Sequence, residues 1–286
     1  MKITELLKEK TLSLSFEVFP PKTDTAFDSV KHATEEIAAL RPAFMSVTYG
    51  AGGGTSRYTL DIAKNIKDTY GVPTLAHLTC VSSTKETVYQ RIVDMKEAGI
   101  QNVMALRGDL TPELMDSDRS GWTYHHAVDL IRELKECGAD FCIGGACYPE
   151  VHPESSNQAE DIRYLKEKVD AGCSFLTTQM FFDNQKYYDF VDRCREAGIT
   201  VPIIPGIKPI TSVNQLTILP KVFHVDLPSE LAKELMNCKD DAMAKVLGVE
   251  WCTAQIRDLL DHGIPSVHFY SLNATQSVKQ VASKIF

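Results

Sequence analysis

Five short phrases, each containing a glycine, constrain the fold of this chain more than any other feature of its sequence. Each phrase has an acidic residue, one further residue, a glycine and an apolar residue, and the glycines are at positions 99, 138, 172, 198 and 263. Every phrase follows an amphipathic stretch and precedes an apolar run. Glycine in this place signals the end of a helix, because it adopts the left-handed conformation at little steric cost. The phrases therefore predict helices that are each followed by a strand.

Eight short apolar runs, rich in strand-forming residues, alternate with these helical stretches. They cover residues 13–19, 44–49, 74–80, 102–109, 141–148, 175–182, 201–207 and 266–272. Most are spaced by roughly 30 residues, which predicts an α/β protein of the (β/α)8 TIM-barrel class. We expect one domain over residues 1–286, with extra helices at 212–262 between strands seven and eight. A doubly wound open sheet is the alternative, and the absence of Gly-x-Gly-x-x-Gly after the first strand counts against it.

Composition narrows the range of partners and compartments. The net charge is −8 and the pI about 5.5, which argues against a nucleic-acid or anionic-membrane partner. The N-terminus lacks the apolar segment of a signal peptide, and no apolar run could span a bilayer. Eight cysteines include no Cys-x-x-Cys pair, which favours reduced core thiols in a cytoplasmic protein. Cys142 and Cys147 fit no familiar metal-ligand spacing, so we expect no metal.

Polar residues gather where the predicted strands end. In a barrel these carboxyl ends form the active face. The residues at these ends are Glu17, Thr48, Tyr49, His77, Arg107, Asp109, Tyr148, His152, Gln179, Tyr270 and Asn273. Glu17 and Asp109 would face one cavity, where burial and like charge would raise the pKa of at least one of them, as a general acid requires.

Several of these residues also have purely structural explanations. Glu17 could be a satisfied structural carboxylate, although buried carboxylates are costly and are more often functional. His77 could be a packed histidine, and Arg107 could simply pair with Asp109. The His125-His126 pair is typical of a helix surface.

Nine sequence motifs, in order along almost the whole chain, resemble the methylenetetrahydrofolate reductase family. They are FEVFPPK at 16–22, TYGA at 48–51, AHLTC at 76–80, LRGD at 106–109, YPEVHP at 148–153, KVDAG at 168–172, QMFFD at 179–183, PGI at 205–207 and HFYSLN at 268–273. The chain looks like the short bacterial form of that family, a catalytic barrel with no added regulatory domain. The glycine-rich loop at 50–55 is not a P-loop, because no Gly-Lys-Ser or Gly-Lys-Thr follows.

The resemblance implies a flavin-dependent oxidoreductase of one-carbon and methionine metabolism. Such an enzyme reduces 5,10-methylenetetrahydrofolate to 5-methyltetrahydrofolate. It transfers hydride in a ping-pong sequence through a bound flavin, FAD rather than FMN. NADH or NADPH would be the reductant, and a protein electron donor is the alternative. A homo-oligomer or an electron-transfer partner subunit would be compatible with this chemistry.

The resemblance also implies roles for individual residues. Glu17 is expected to supply the acid that opens the five-membered ring of the folate, and Asp109 to stabilise the positive charge that develops beside the flavin. Gln179 is expected to contact folate and nicotinamide in turn, and Gln215 to touch the folate. The expected cofactor-binding residues are Thr48, Tyr49, Ala51, His77, Arg107, Gly108, Asp109, Ala127, Tyr148, His152, Asp161, Lys166 and Lys168.

Two positions depart from the family pattern. Ala274 stands where the family commonly has arginine, and Leu219 where it often has phenylalanine. A basic contact to the folate is therefore lost or supplied elsewhere. Two other functions compete with the reductase. One is a pterin-binding barrel that transfers a methyl group without a flavin, and the other is a non-catalytic partner subunit.

Overall fold

Parallel strands form a nearly closed ring in the computed structural model, which describes residues 1–9, 12–20, 27–49, 56–271 and 274–285. The strands are β1 (Ser13–Val18), β2 (Phe44–Val47), β3 (Thr74–Thr79), β4 (Asn102–Leu106), β5 (Cys142–Cys147), β6 (Phe175–Thr178), β7 (Ile203–Ile204), β8 (Gly206–Ile207) and β9 (Ser266–Tyr270). Their spatial order is β7-β6-β5-β4-β3-β2-β1-β9-β8. The two end strands, β7 and β8, are consecutive in the chain, so the ends of the sheet meet at the residue between them. The predicted barrel is confirmed.

The predicted seventh strand, residues 201–207, is divided into β7 and β8 by Pro205. Proline has no backbone N–H to donate to a ladder, and the carbonyl of Pro205 instead accepts from His268 N at 2.9 Å. β7 pairs with β6, and β8 pairs with β9. The described part of the chain therefore has nine strands where the sequence predicted eight, although the barrel topology is the same.

Helices surround the ring. They are α1 (Ile3–Leu6), α2 (Phe27–Ala38), α3 (Ser56–Tyr70), α4 (Lys85–Glu97), α5 (Pro112–Met115), α6 (Ala127–Glu136), α7 (Gln158–Asp170), α8 (Asn184–Glu196), α9 (Gln215–Phe223), α10 (Ser229–Asn237), α11 (Asp241–Asp261) and α12 (Thr275–Ile285). The five glycines that predicted helix ends follow α4, α6, α7, α8 and α11, and their φ angles are 67°, 68°, 121°, 76° and 75°. All five lie in the left-handed region, so the helix-end prediction is confirmed.

The side chains of each strand alternate between two environments. One set, which includes Phe16, Val267 and Phe269, packs outward against the helices and forms the main core. The other set points into the barrel. At the N-terminal end it forms an apolar layer that includes Phe44, Leu75 and Phe175 together with residues of α1. The amide of Asn102 also lies at this end, where it accepts from Ile3 N at 2.8 Å and donates to the carbonyl of Thr74 at 3.0 Å. Because this end is filled, the remaining room for polar groups lies towards the C-terminal ends of the strands.

The predicted insertion between the last two barrel units is confirmed as α9, α10 and α11. These helices share a second apolar cluster with the segment that follows β6. Several strands end earlier than the sequence suggested. β6 stops at Thr178 instead of continuing to 182, because Met180 and Phe182 leave the barrel wall and are buried in this second cluster.

The cysteines pack largely as core residues. Cys80, Cys142, Cys147, Cys173, Cys194 and Cys252 are buried. Cys142 belongs to the layer inside the barrel and Cys147 to the outer core, so the two thiols do not share a site. Among the described residues, no group of three or more His, Cys, Asp or Glu residues could hold a metal ion. None of the described helices combines the length and the apolarity needed to cross a bilayer.

Candidate active site

Glu17 is positioned by the pleat of β1. Its neighbours Phe16 and Val18 pack into the outer core, so the carboxyl of Glu17 lies on the inner face of the barrel. In the strand register Glu17 is level with Ser46 of β2 and with Tyr270 of β9. The residue is only 7% exposed. The sequence therefore predicted both the inward position and the burial.

The surroundings of Glu17 keep its carboxyl protonated at neutral pH. Burial raises the pKa of Glu17 to about 8, against opposing effects of a hydrogen bond with Ser46 and the charge of Lys208. Nε2 of His77 lies 3.5 Å from Oε2 of Glu17. Burial lowers the pKa of His77 to about 4, and its Nε2 has no hydrogen-bond partner among the described residues. The two side chains therefore form a neutral pair and not an ion pair.

Like-charge repulsion, which the sequence suggested as a second cause, does not contribute to this shift. Asp109 is exposed at the rim, and its charge is not among the causes of the raised pKa of Glu17. Desolvation alone is sufficient for a carboxyl in so buried a position.

A hydrogen-bonded chain of side chains continues from Glu17 into the barrel. The hydroxyl of Ser46 lies 3.2 Å from Nε2 of His268, and Nδ1 of His268 lies 2.8 Å from the hydroxyl of Ser15. The Ser15 hydroxyl donates to the carbonyl of Val267 at 3.1 Å. Burial lowers the pKa of His268 to about 3, so the chain is neutral. It fixes the Ser46 hydroxyl beside the carboxyl of Glu17.

Burial of this carboxyl predicts that the protein loses stability as the pH rises. The pKa of Glu17 increases from 4.5 to about 8 on folding. Its contribution to the free energy of unfolding is therefore full below about pH 4.5 and is lost as the pH rises through about 8. Glu17→Gln removes this titration. We expect urea unfolding to show a loss of a few kcal/mol between these pH values in the wild type, and a clearly smaller loss in Glu17→Gln.

The buried histidines His77 and His268 give the free energy of unfolding the opposite dependence on pH, and this dependence should be the same in both proteins. Their pKa values are lowered from 6.5 by burial, so their contribution is lost as the pH falls from 6.5 towards about 4 for His77 and about 3 for His268. Both histidines are present in both proteins, so the difference between the two stability curves reports on Glu17. Parallel curves across the range would contradict the raised pKa.

The segment after β4 turns sharply at Gly108. The carbonyl of Arg107 accepts from Cys80 N at 3.1 Å and from Val81 N at 2.7 Å, which ties the segment to the end of β3. Gly108 has a φ of 97°, and a Cβ there would lie 2.8 Å from a methyl carbon of Val81. Only glycine fits this turn. The turn directs Arg107 and Asp109 to the rim, as the sequence predicted.

Arg107 pairs with Glu154 and not with Asp109. Its two terminal nitrogens donate to the two carboxylate oxygens of Glu154 at 2.6 and 2.7 Å, a bidentate arrangement. The backbone N–H of Glu154 donates to Nδ1 of His152 at 3.1 Å. The ion pair therefore joins the end of β4 to the loop after β5. Sequence reasoning missed Glu154, although it lies two residues beyond a residue of the YPEVHP motif.

A cavity of about 240 Å³ lies between the ends of β4 and β5 and the helices α6 and α7. The predicted cofactor-binding residues that line it are Arg107, Ala127, Tyr148, His152, Asp161 and Lys168. Further lining residues that the sequence did not indicate are His126, Glu154, Ser155, Tyr164 and Glu167. The fold therefore brings six of the predicted cofactor-binding residues together around one cavity.

The walls of this cavity are aromatic and polar. The rings of His126 and Tyr164 are nearly parallel, at 17°, with centroids 6.3 Å apart. Tyr148 and His152 meet edge to face at 4.6 Å. Nζ of Lys168 donates to the carbonyl of Ala146 at 2.6 Å. His126 is exposed, as predicted, but it lies at the N-terminus of α6 beside the cavity. This combination of ring faces and one lysine suits a nucleotide.

Other predicted residues lie outside this cavity. Thr48 follows β2, and its N–H donates to the carbonyl of Val18 at 3.1 Å. The guanidinium of Arg91 lies over the ring of Tyr49, 5.0 Å from its centroid. Gln179 follows β6, is half-buried, and accepts at its side-chain oxygen from Met180 N at 2.9 Å. Their roles stay predictions.

Four further residues complete the set. The amide of Gln215 is bonded to Thr211, whose N–H donates to Oε1 at 2.7 Å. Lys166 pairs with Asp170 along α7 and is not among the residues that line the cavity. Ala51 and Asn273 lie outside the described residues, as does the loop at 50–55.

The two departures from the family pattern are both buried. Ala274 is 2% exposed and packs in the main core, and Leu219 is 1% exposed and packs in the second cluster. Neither side chain lines the cavity. Leu219 therefore supports the insertion and does not offer a surface for stacking.

Comparison with solved structures agrees with the observed barrel. A protein from Clostridium thermocellum, described as binding two copies of 5-methyl-5,6,7,8-tetrahydrofolic acid, superposes with a TM-score of 0.70 over 100% of this chain and 99% of that one, at 16% identity. An oxaloacetate acetylhydrolase gives a TM-score of 0.54 over 99% of this chain and 83% of the other, at 15% identity. At such identities the likeness concerns the fold alone.

Sequence comparison is more specific. A family model described as methylenetetrahydrofolate reductase matches residues 2–285. The 5,10-methylenetetrahydrofolate reductase of Escherichia coli strain K12 is 39% identical over 93% of this chain and 88% of that protein. Methylenetetrahydrofolate reductase (NADH) 1 of Arabidopsis thaliana is 34% identical over 97% of this chain and 49% of that protein, so the chain spans about half of it. The chain belongs to the methylenetetrahydrofolate reductase family.

Proposed function

We propose that this chain reduces 5,10-methylenetetrahydrofolate to 5-methyltetrahydrofolate with the help of a bound flavin. The observation that supports this most directly is the buried Glu17 at the mouth, whose pKa of about 8 leaves it protonated at neutral pH. It stands in a chain that is 39% identical to a reductase of that name. A buried acid at this end of a barrel is well suited to protonating a bound substrate.

Opening the five-membered ring of the folate requires a proton on the departing nitrogen. The carboxyl of Glu17 holds such a proton, and the neutral His77 beside it does not compete as a base, because burial lowers its pKa to about 4. Asp109, exposed at the rim after β4, would stabilise the positive charge that develops on the folate. Gln179, which directly follows β6, would orient the ring with its side-chain amide.

The cavity lined by His126, Tyr148 and Tyr164 would hold the nucleotide part of the cofactor. The ring faces suit a planar base, and Lys168 suits a phosphate. These features favour FAD over FMN, which has no adenosine to place there. When bound, the flavin accepts a hydride from the reductant and delivers it to the folate. The protein's own part is to bind both substrates in turn at one mouth, to exclude water and to supply the proton.

We propose NADH or NADPH as the reductant, used in a ping-pong sequence. The Arabidopsis relative is named as an NADH form. A nicotinamide that binds at the barrel mouth would share the place of the folate, so the two would bind alternately. A partner protein that delivers electrons instead is one outcome of the experiment below.

Purified protein is expected to show flavin absorbance in the visible range. The released cofactor should chromatograph as FAD. Anaerobic addition of NADH, NADPH or 5-methyltetrahydrofolate, each separately, should bleach the flavin with at least one nicotinamide and with the folate. Bleaching by the folate alone would indicate a protein electron donor.

Absence of flavin would contradict the proposal and favour a methyl-transferring barrel. Released FMN would contradict the assignment of the cavity to adenosine. Lys135→Met is a useful control, because Lys135 lies on α6 beside the cavity but is exposed and does not line it. It should retain the cofactor, whereas Lys168→Met should lose a large part of it.

A further inference from the structure

Lys208 is a buried lysine to which the proposed reaction has so far assigned no role. It directly follows β8 and is 7% exposed. Gly206 and Ile207 are level with His268 and Phe269 of β9, so the next step of the register places Lys208 beside Tyr270. From the other side of β9, Glu17 is level with the same Tyr270. Lys208 and Glu17 therefore flank one residue at the same height in the barrel wall.

The pleat directs both side chains to the same face. Ile207 and Phe269 pack in the outer core, and side chains alternate along a strand. Lys208 and Tyr270 consequently point into the barrel, as Glu17 does. Burial lowers the pKa of Lys208 and the charge of Glu17 raises it. In return the charge of Lys208 lowers the pKa of Glu17. The ammonium and the carboxyl thus interact across the interior.

The other groups around Glu17 do not offer a positive charge. Ser46 of β2 offers a hydroxyl, and His77 of β3 and His268 of β9 are held neutral because burial lowers their pKa values to about 4 and about 3. Burial, followed by the charge of Glu17, raises the pKa of Tyr270 well above its ordinary value, so its hydroxyl stays protonated. Among these groups, Lys208 carries the charge that can respond when Glu17 ionises.

We propose that Lys208 is a positioning residue for Glu17. Its positive charge stabilises the carboxylate that remains after Glu17 has given its proton to the folate. This inference rests on the proposed role of Glu17 as the acid. In that step the carbon–nitrogen bond of the folate ring breaks, the electron pair stays on the nitrogen, and the nitrogen takes the proton from Glu17. The carboxylate then lies near the ammonium until a proton from solvent restores it. A stabilised conjugate base makes Glu17 a stronger acid.

The proposal predicts the effect of removing the charge. Lys208→Met keeps an unbranched, buried side chain of similar length. The pH at which Glu17 ionises should rise by about one unit, the lower end of the effect of a nearby opposite charge. The alkaline limb of the folate half-reaction should shift upward by the same amount, and the plateau rate should fall. A purely structural role for Lys208 would not raise that limb.

The test follows the carboxyl itself, so it does not depend on turnover. Infrared difference spectra of the whole protein, recorded across pH, report the protonated carboxyl, and Glu17→Gln identifies its band. In Lys208→Met, we expect the pH at which half of the Glu17 carboxyl band is lost to be about one unit higher than in the wild type. That pH should equal the wild-type value in Lys208→Arg and in the exposed control Lys233→Met. An unchanged midpoint in Lys208→Met would overturn the proposal.

Two measures keep the outcome decisive. Circular dichroism establishes that each variant is folded, and Lys208→Gln replaces Lys208→Met if the latter is not. If neither neutral variant folds while Lys208→Arg does, the charge is structural and the proposal fails. If the midpoint shifts as expected but the protein does not reduce the folate, then the charge relation stands and the proposed function is what fails.

Discussion

Replacing Glu17 by glutamine is expected to lower the rate of methylenetetrahydrofolate reduction about a thousandfold, in the middle of the range for loss of a general acid. Glutamine has nearly the same shape and can still bond to Ser46, but it has no proton to give to the departing nitrogen. In the proposed mechanism, reduction of the flavin by NADH or NADPH needs no such proton, so the rate of that half-reaction should change little. Stopped-flow measurement of the two half-reactions separates these steps.

The control is a carboxyl in a different setting. Glu36 of α2 pairs with Lys279 at 3.1 Å on the outside of the barrel. Glu36→Gln should leave both half-reactions at the wild-type rate. Equal slowing of the two half-reactions in Glu17→Gln would indicate a disturbed flavin site, and an unaltered folate half-reaction would remove Glu17 from the mechanism.

Alanine at Gly248 is expected to destabilise the protein by about 3 kcal/mol, the upper end of the range for overpacking a core. Gly248 lies in the middle of α11, where alanine would ordinarily favour the helix by up to about 1 kcal/mol. A Cβ at this position, however, would lie 2.0 Å from the carbonyl oxygen of Ile210. Backbone cannot move aside as a side-chain tip can, so the steric cost exceeds the gain. Urea unfolding gives the free energy directly.

The close approach of α11 to Ile210 also supports the C-terminal end of the barrel. α11 also donates from the indole of Trp251 to the carbonyl of Phe182 at 3.1 Å, in the segment that follows Gln179. A displaced α11 should therefore raise the KM for the folate as well. Gly121→Ala is the matched control, because a Cβ there meets nothing within 4 Å. Similar stability of the two alanine variants would contradict the close approach of α11 to Ile210.

The barrel and most of the site's positions could be predicted from local patterns. The helix-ending glycines and the alternating runs are local signals, and a parallel βα repeat has few arrangements that bury every strand. Burial of Glu17 followed from its place between Phe16 and Val18, since neighbours on a strand face opposite sides. The resemblance to a family then selected six residues that line one cavity.

Other features depended on contacts between distant parts of the chain. The partner of Arg107 is Glu154, 47 positions away, and not the nearby Asp109. The parallel rings of His126 and Tyr164 come from different helices. Lys208 lies in a short segment between prolines, where nothing in the local sequence indicates that it is level with Glu17. The division of the seventh strand at Pro205 likewise depends on tertiary pairing, because β7 pairs with β6 and β8 pairs with β9.

The sequence by itself determined the order of strands and helices, the helix ends and the inward face of β1, because these depend on neighbours within a few residues. The tertiary structure decided which side chains face each other, which carboxyl is desolvated and which charge acts on it. Those outcomes depend on how the ring closes, and closure joins β8 to β9 across the helical insertion and β9 to β1 across almost the entire length of the chain.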